Sequence, residues 1–154
     1  MFLTDRLRAS MKDNRPETLL FNTYYESFLE KLKDRLPALI PQVYLHYDPY
    51  TWKNLKGEKR LVRQRMDFLL LLPYGKNVVI EIDGKQHYSE KWQHSEKWQA
   101  RPDLYAEMVA EDRQLKLTGY EVYRFGGYEL QESKKPKQTI TDFFSELFKV
   151  HYIS

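Results

Sequence analysis

The chain has 154 residues, of which 42% are hydrophobic and 31% charged, a composition that fits one globular core and excludes collagen-like and low-complexity chains. It contains no cysteine, which excludes disulfide frameworks, thiol enzymes and zinc fingers, and its formal charge of +3 does not by itself indicate nucleic acid. The longest apolar run, at residues 68–73, is far shorter than the roughly 18 residues of a membrane helix. Because no secretory signal is visible either, we expect a cytoplasmic protein without a membrane partner.

Apolar spacing predicts seven elements in the order α-β-β-β-α-β-α. Helical spacing covers residues 16–36, and a β-branched and aromatic segment at 42–47 predicts the first strand. After a basic loop, two nearly continuous apolar runs at 66–72 and 78–82 predict central strands joined as a hairpin. The remaining elements are a helix from 102 to about 118, a strand at 121–125 and an amphipathic helix at 139–153 that Thr139 or Thr141 would cap.

This order predicts an α/β (α+β) domain in which helices flank one central mixed sheet. We expect a single domain over residues 1–154, with its core at about 16–130 and the helix at 139–153 as a C-terminal addition. Between the core strands and the following helix, the pentapeptide Ser-Glu-Lys-Trp-Gln occurs twice, at 89–93 and 95–99. Two copies are too few for a solenoid, so this segment reads as an ordered loop or a lid.

Acidic residues interrupt the two apolar strands. Asp67 precedes Phe68 and two leucines, and Glu81 follows two valines and an isoleucine. Burying an isolated carboxylate there costs several kcal/mol, so both acids need compensation. Glu81 and Asp83 share a strand face, and the hairpin can bring Asp67 beside them. Three carboxylates in a small volume, without cysteine ligands, favour Mg²⁺ or Mn²⁺.

Two residues that follow these acids carry further chemistry. A divalent ion acidifies water and stabilises the charge on a phosphodiester that is being attacked, so the acids predict hydrolysis of nucleic acid. Lys85 could orient water or offset phosphate charge, unless Gly84 turns the chain away. His87 could act as general base, general acid or phosphate hydrogen-bond donor, although a packed histidine is an equally ordinary reading.

Four segments in order resemble the PD-(D/E)XK nuclease superfamily, and within it the very-short-patch-repair-endonuclease-like branch. They comprise Asp67 in Arg-Met-Asp-Phe at 65–68, the strand 78–84 with Glu81-Ile82-Asp83-Gly84, His87, and the stretch from 112–115 to 119–125. The resemblance covers residues 26–130. It implies a restriction-endonuclease-like core in which Asp67 and Glu81 hold a divalent metal.

The resemblance also assigns roles that the residues alone do not. Asp83 stands where the motif normally has lysine, so either Lys85 takes over the lysine role or Asp83 is a further metal ligand and His87 does the acid–base work. Both alternatives stay open. In many members a glutamate from the first helix approaches the metal through water, and Glu26 fits that position best.

Nucleic acid is the expected partner, with double-stranded DNA favoured and RNA left open. Arg63, Arg65 and Lys85 could neutralise phosphates, and Trp92 and Trp98 could stack on bases or pack over the core. The family implies a role in phage defence, restriction or repair, and a homodimer or a partner subunit stays open. The alternatives are a catalytically degenerate domain that only binds nucleic acid or protein, or the effector domain of a larger defence protein.

Purely structural interpretations compete with these roles. Asp67 and Glu81 could be ion-pair partners of nearby arginines, and Asp83-Gly84 could simply end a strand. An acid at 112 facing Arg124 is more typical of a salt bridge between helix and sheet than of a catalytic site.

Overall fold

The computed structural model describes residues 3–11, 14–44, 65–84, 89–91 and 98–154. Within these residues it contains four α-helices, a four-stranded mixed sheet and a separate two-stranded sheet. The helices are α1 (Leu3–Ser10), α2 (Arg15–Leu32), α3 (Pro102–Leu117) and α4 (Pro136–Val150). The strands are β1 (Ala38–Tyr44), β2 (Arg65–Leu71), β3 (Asn77–Asp83), β4 (Ser89–Lys91), β5 (Trp98–Ala100) and β6 (Glu121–Gly126).

The main sheet has the order β1-β2-β3-β6, in which β2 is antiparallel to both β1 and β3, and β6 is parallel to β3. The mixed α+β class that the sequence predicts is therefore confirmed. So is the hairpin of two central strands, in which Leu70 pairs with Val78. The connection between them turns through Tyr74 and Gly75, which have φ angles of 63° and 74°.

Helices cover both faces of the main sheet, which explains why β2 and β3 are apolar almost throughout. On one face α2 and α4 pack against the sheet and against each other through tilted and edge-to-face aromatic pairs, among them Tyr24 with Phe144 and Phe28 with Phe148. On the other face, Leu115 of α3 packs with Val79. The site described below lies where the ladder between β2 and β3 ends.

Several element boundaries differ from the sequence-based expectations. Strand β1 begins at residue 38 instead of 42 and contains Pro41, which is tolerated because β1 is an edge strand. Helix α4 begins at Pro136 instead of Thr139 or Thr141, with proline in its first turn. Helix α1 and the small β4–β5 sheet formed around the repeated pentapeptide were not predicted.

No described helix has both the length and the apolar character needed to cross a bilayer.

Candidate functional site

Asp67 and Glu81 come together where the pairing of β2 with β3 stops. The last paired residues are Phe68 and Ile80. Beyond them, side-chain carboxyl groups accept hydrogen bonds from backbone N–H groups that the sheet leaves unpaired. The N–H of Ile82 donates to Asp67 Oδ2 at 2.9 Å, while the Asp67 N–H donates to the Glu81 carboxyl group. The two carboxyl groups lie close enough for the charge of Asp67 to raise the pKa of Glu81. Each acid is thus fixed by the backbone of the opposite strand.

Burial and mutual repulsion disfavour two negative charges on this pair. Burial, followed by the negative charge of Asp67, raises the pKa of Glu81 to about 8, although Arg124 opposes the shift. Asp67 itself is only 7% exposed. At neutral pH the pair therefore holds a proton that a bound cation would displace.

Arg124 of β6 holds the third predicted acid. Its Nη1 atom donates to Asp83 Oδ1 at 2.6 Å, and its Nε atom lies 3.0 Å from Asp112 Oδ2 on α3. Although burial opposes the charge on Arg124, the hydrogen bonds to Asp112 and the charge of Asp83 raise its pKa. The expected salt bridge between helix and sheet at residues 112 and 124 is confirmed, and it extends to Asp83.

The structure therefore brings two of the three predicted carboxylates into contact and directs the third elsewhere. Asp83 lies two residues beyond Glu81, but the guanidinium on the neighbouring strand attracts its carboxylate. Across the described ranges, no group of three or more histidine, aspartate or glutamate side chains is arranged to hold a metal ion. The candidate site is the Asp67–Glu81 pair.

Glu17 is the helical glutamate that lies near this pair, and the sequence analysis missed it. Its side chain is 1% exposed, and burial followed by the negative charge of Asp67 raises its pKa. It accepts from Asn14 Nδ2 at 2.5 Å and from Gln42 Nε2 at 3.3 Å. The Arg65 Nη2 atom lies 3.8 Å from Glu17 Oε1 and 3.6 Å from Asp67 Oδ1, so this guanidinium links the two acids.

Glu26, the helical glutamate that the resemblance favoured, lies elsewhere. Its side chain is 61% exposed and pairs with Lys137 of α4 at 3.0 Å. Nine residues separate it from Glu17, which at about 100° per residue places the two on opposite sides of α2. The structure does not bring Glu26 to the Asp67–Glu81 pair.

The remaining predicted contacts cannot be placed in the site. Arg63, Lys85, His87 and Trp92 lie outside the described residues, and Trp98 lies in β5 with only its backbone described. Of the residues expected to touch nucleic acid, Arg65 alone has a described side chain.

Comparison of the chain with protein-family models, curated proteins and solved structures finds no match. The Asp67–Glu81 pair itself indicates what the site can bind. Its donor set fits a hard divalent cation, because Mg²⁺ commonly uses one or two carboxylates and completes its coordination with water and substrate phosphate.

Proposed function

We propose that this protein is a nuclease that hydrolyses DNA phosphodiester bonds with a divalent ion, Mg²⁺ or Mn²⁺, held by Asp67 and Glu81. The observation that carries the proposal is the contact between these two carboxyl groups at the end of two central strands. Arg65 and Arg124 lie near the pair, yet the pKa of Glu81 remains raised, so these guanidinium groups do not fully compensate two negative charges. The succession α2-β1-β2-β3-α3-β6 also supports a restriction-endonuclease-like core.

The chain prepares both acids for this task before any ligand arrives. The Ile82 N–H fixes Asp67, and the Asp67 N–H fixes Glu81, so two oxygen ligands are held by rigid strands and not by flexible loops. When bound, a divalent ion supplies a more acidic water and offsets negative charge on the phosphate. Arg124 stays with Asp83 and Asp112 and keeps the neighbouring strand end in register.

The reaction proposed is a hydrolysis in which water is the co-reactant. The water oxygen forms a bond to phosphorus, the bond from phosphorus to the leaving sugar oxygen breaks, and that oxygen takes up a proton. The products are a phosphate monoester and an alcohol, and no oxidant or reductant is needed.

The test compares the wild type with Asp67→Asn and Glu81→Gln on duplex DNA, single-stranded DNA and RNA in Mg²⁺, Mn²⁺ or EDTA. Loss of a ligand that supplies several kcal/mol should slow cleavage by about 100-fold or more, and EDTA should stop it. Glu146→Gln is the matched control, because that carboxylate is 71% exposed on α4. Cleavage by Asp67→Asn at the wild-type rate would refute the proposal.

One observation favours a second candidate, a domain that binds nucleic acid without cutting it. Asp83 occupies the place of the motif lysine. It accepts a hydrogen bond from Arg124 and, being a carboxylate, does not give the site the positive charge that the lysine would provide. This candidate predicts metal uptake and salt-sensitive DNA binding by the wild type, with no cleavage of any of the three substrates in either ion.

A further inference from the structure

We propose that the guanidinium of Arg65 contacts the phosphate under attack and that the buried Glu17 holds it in position. This inference rests on the proposed nuclease function and deepens it. It assigns Arg65 as a catalytic residue and Glu17 as a positioning residue that acts through Arg65. The starting observation is that one guanidinium lies beside both Asp67 and a second, almost completely buried carboxylate.

Two arginines with described side chains border the candidate site, and their hydrogen bonding differs sharply. Arg124 is 19% exposed and makes hydrogen bonds of 2.6 to 3.1 Å to two carboxylates through its Nε and Nη1 atoms. Arg65 is 41% exposed, and its ion pairs at 3.6 and 3.8 Å are longer than hydrogen bonds. Of its five N–H donors Arg124 commits three to Asp83 and Asp112, so the more exposed Arg65 is the better placed of the two to donate to a phosphate.

Glu17 is suited to hold this guanidinium because its own position is firmly determined. Asn14 caps α2 by accepting from the Glu17 N–H, and its Nδ2 atom donates back to the Glu17 carboxylate. Gln42 donates from β1, with a backbone φ of 54° that costs a residue other than glycine on the order of 1 kcal/mol. A carboxylate that is 1% exposed needs a cation nearby, and among the described residues Arg65 lies within ion-pair distance of it.

Electrostatics then determine what Arg65 does in the loaded site. A divalent cation held by Asp67 would repel the guanidinium from that side, while the attraction to Glu17 would persist. Arg65 would therefore stay at the rim of the site, within reach of a phosphate. There it can donate two parallel hydrogen bonds to the non-bridging oxygens as their negative charge increases. Arg65 transfers no proton, because a guanidinium stays protonated in proteins.

The experiment uses the full chain with Arg65→Met, Arg65→Lys and Glu17→Gln. Arg35→Met is the matched control, because Arg35 is exposed and lies in the 3₁₀ turn just before β1 begins, at the other end of that strand from Gln42. The measurements are Mn²⁺ affinity by calorimetry, kcat and KM on duplex DNA, and the salt dependence of duplex binding in Mn²⁺. Circular dichroism verifies that each variant is folded.

Arg65→Met should keep Mn²⁺ affinity at or above the wild-type level, since removing a cation beside Asp67 favours the metal. Its kcat should fall by about 100-fold, and the slope of log affinity against log salt should decrease by about one. Arg65→Lys should recover part of kcat, because it restores charge without the paired donors. Glu17→Gln should lower kcat by about 10-fold with unchanged Mn²⁺ affinity.

The inference would be overturned if Arg65→Met and Arg35→Met had the same kcat and the same salt dependence of duplex binding. So would a parallel loss of Mn²⁺ affinity and kcat, because Arg65 would then only support Asp67. Failure of the proposed function looks different, since the wild type itself would take up no Mn²⁺. If the wild type binds duplex DNA without cutting, the salt slope alone decides whether Arg65 contacts phosphate.

Discussion

Replacing Glu81 with glutamine should make the metal-free protein more stable at alkaline pH while removing its function. The pKa of Glu81 is raised from 4.5 to about 8, mainly by burial and by Asp67. Below pH 4.5 the carboxyl group is protonated in both the folded and the unfolded protein. Between these values the folded protein holds one more proton than the unfolded chain, so the free energy of unfolding falls as the pH rises.

Because one proton is involved, the free energy of unfolding should fall by about 1.4 kcal/mol per pH unit within that window. Over the whole window this would reach on the order of 5 kcal/mol, and the residual solvent contact of Glu81 reduces it to about 3 kcal/mol. Glutamine has nearly the same shape but no titrating proton. Glu81→Gln should therefore resemble the wild type near pH 5 and exceed its stability at pH 8.5 by about 3 kcal/mol.

Urea unfolding followed by circular dichroism from pH 4.5 to 9 in EDTA measures this difference, with Glu146→Gln as the exposed control. Saturating Mn²⁺ should flatten the pH dependence of the wild type, because the ion binds the deprotonated pair. It should leave Glu81→Gln almost unchanged. If the wild type and Glu81→Gln lose stability in parallel between pH 5 and 8, the pKa of Glu81 is not raised and the electrostatic explanation is wrong.

Three further predictions concern the surroundings of the site. Arg124→Met leaves two carboxylates unpaired and should lower the free energy of unfolding by about 3 kcal/mol. Replacing the exposed Arg113 with methionine should change it by less than about 0.5 kcal/mol. Equal free energies of unfolding for the two variants in urea titration would contradict this prediction. Gly127→Ala would place its Cβ 3.0 Å from the Asp83 carbonyl oxygen and should lower the free energy of unfolding by about 1 to 3 kcal/mol. The control is Gly126→Ala, whose Cβ would meet a flexible side chain at 3.8 Å. Equal melting temperatures for the two variants would contradict this prediction. Mn²⁺ at 100 times its dissociation constant should stabilise the wild type by about 2.7 kcal/mol, and an unchanged melting curve would deny specific uptake.

The hairpin and its acidic pair could be predicted because strand periodicity and turn chemistry determine them locally. Once 66–72 and 78–82 are assigned as the two arms, Asp67 and Glu81 must lie near each other. The partner of Asp83 could not be predicted in the same way. It depends on β6 lying parallel beside β3, a contact between segments some 40 residues apart that no local pattern specifies.

Glu17 and Gln42 were missed for different physical reasons. Glu17 left a signal, since Asn14 three residues before it caps the start of an apolar helix, but such a cap is ordinary at a helix start and does not indicate a site. Gln42 left none, because a positive φ at a residue other than glycine results from tertiary contacts. The early start of β1 was hidden by Pro41, which usually argues against a strand.

The central claim is that Asp67 and Glu81 bind a divalent cation through carboxylate oxygens. Crystals soaked in Mn²⁺ and measured for anomalous scattering test it most directly, at a pH near 8 where the proton on Glu81 is easily displaced. We predict one strong anomalous peak between the two carboxyl groups, absent from Glu81→Gln crystals soaked identically. A wild-type map with no peak between these carboxyl groups would contradict the claim.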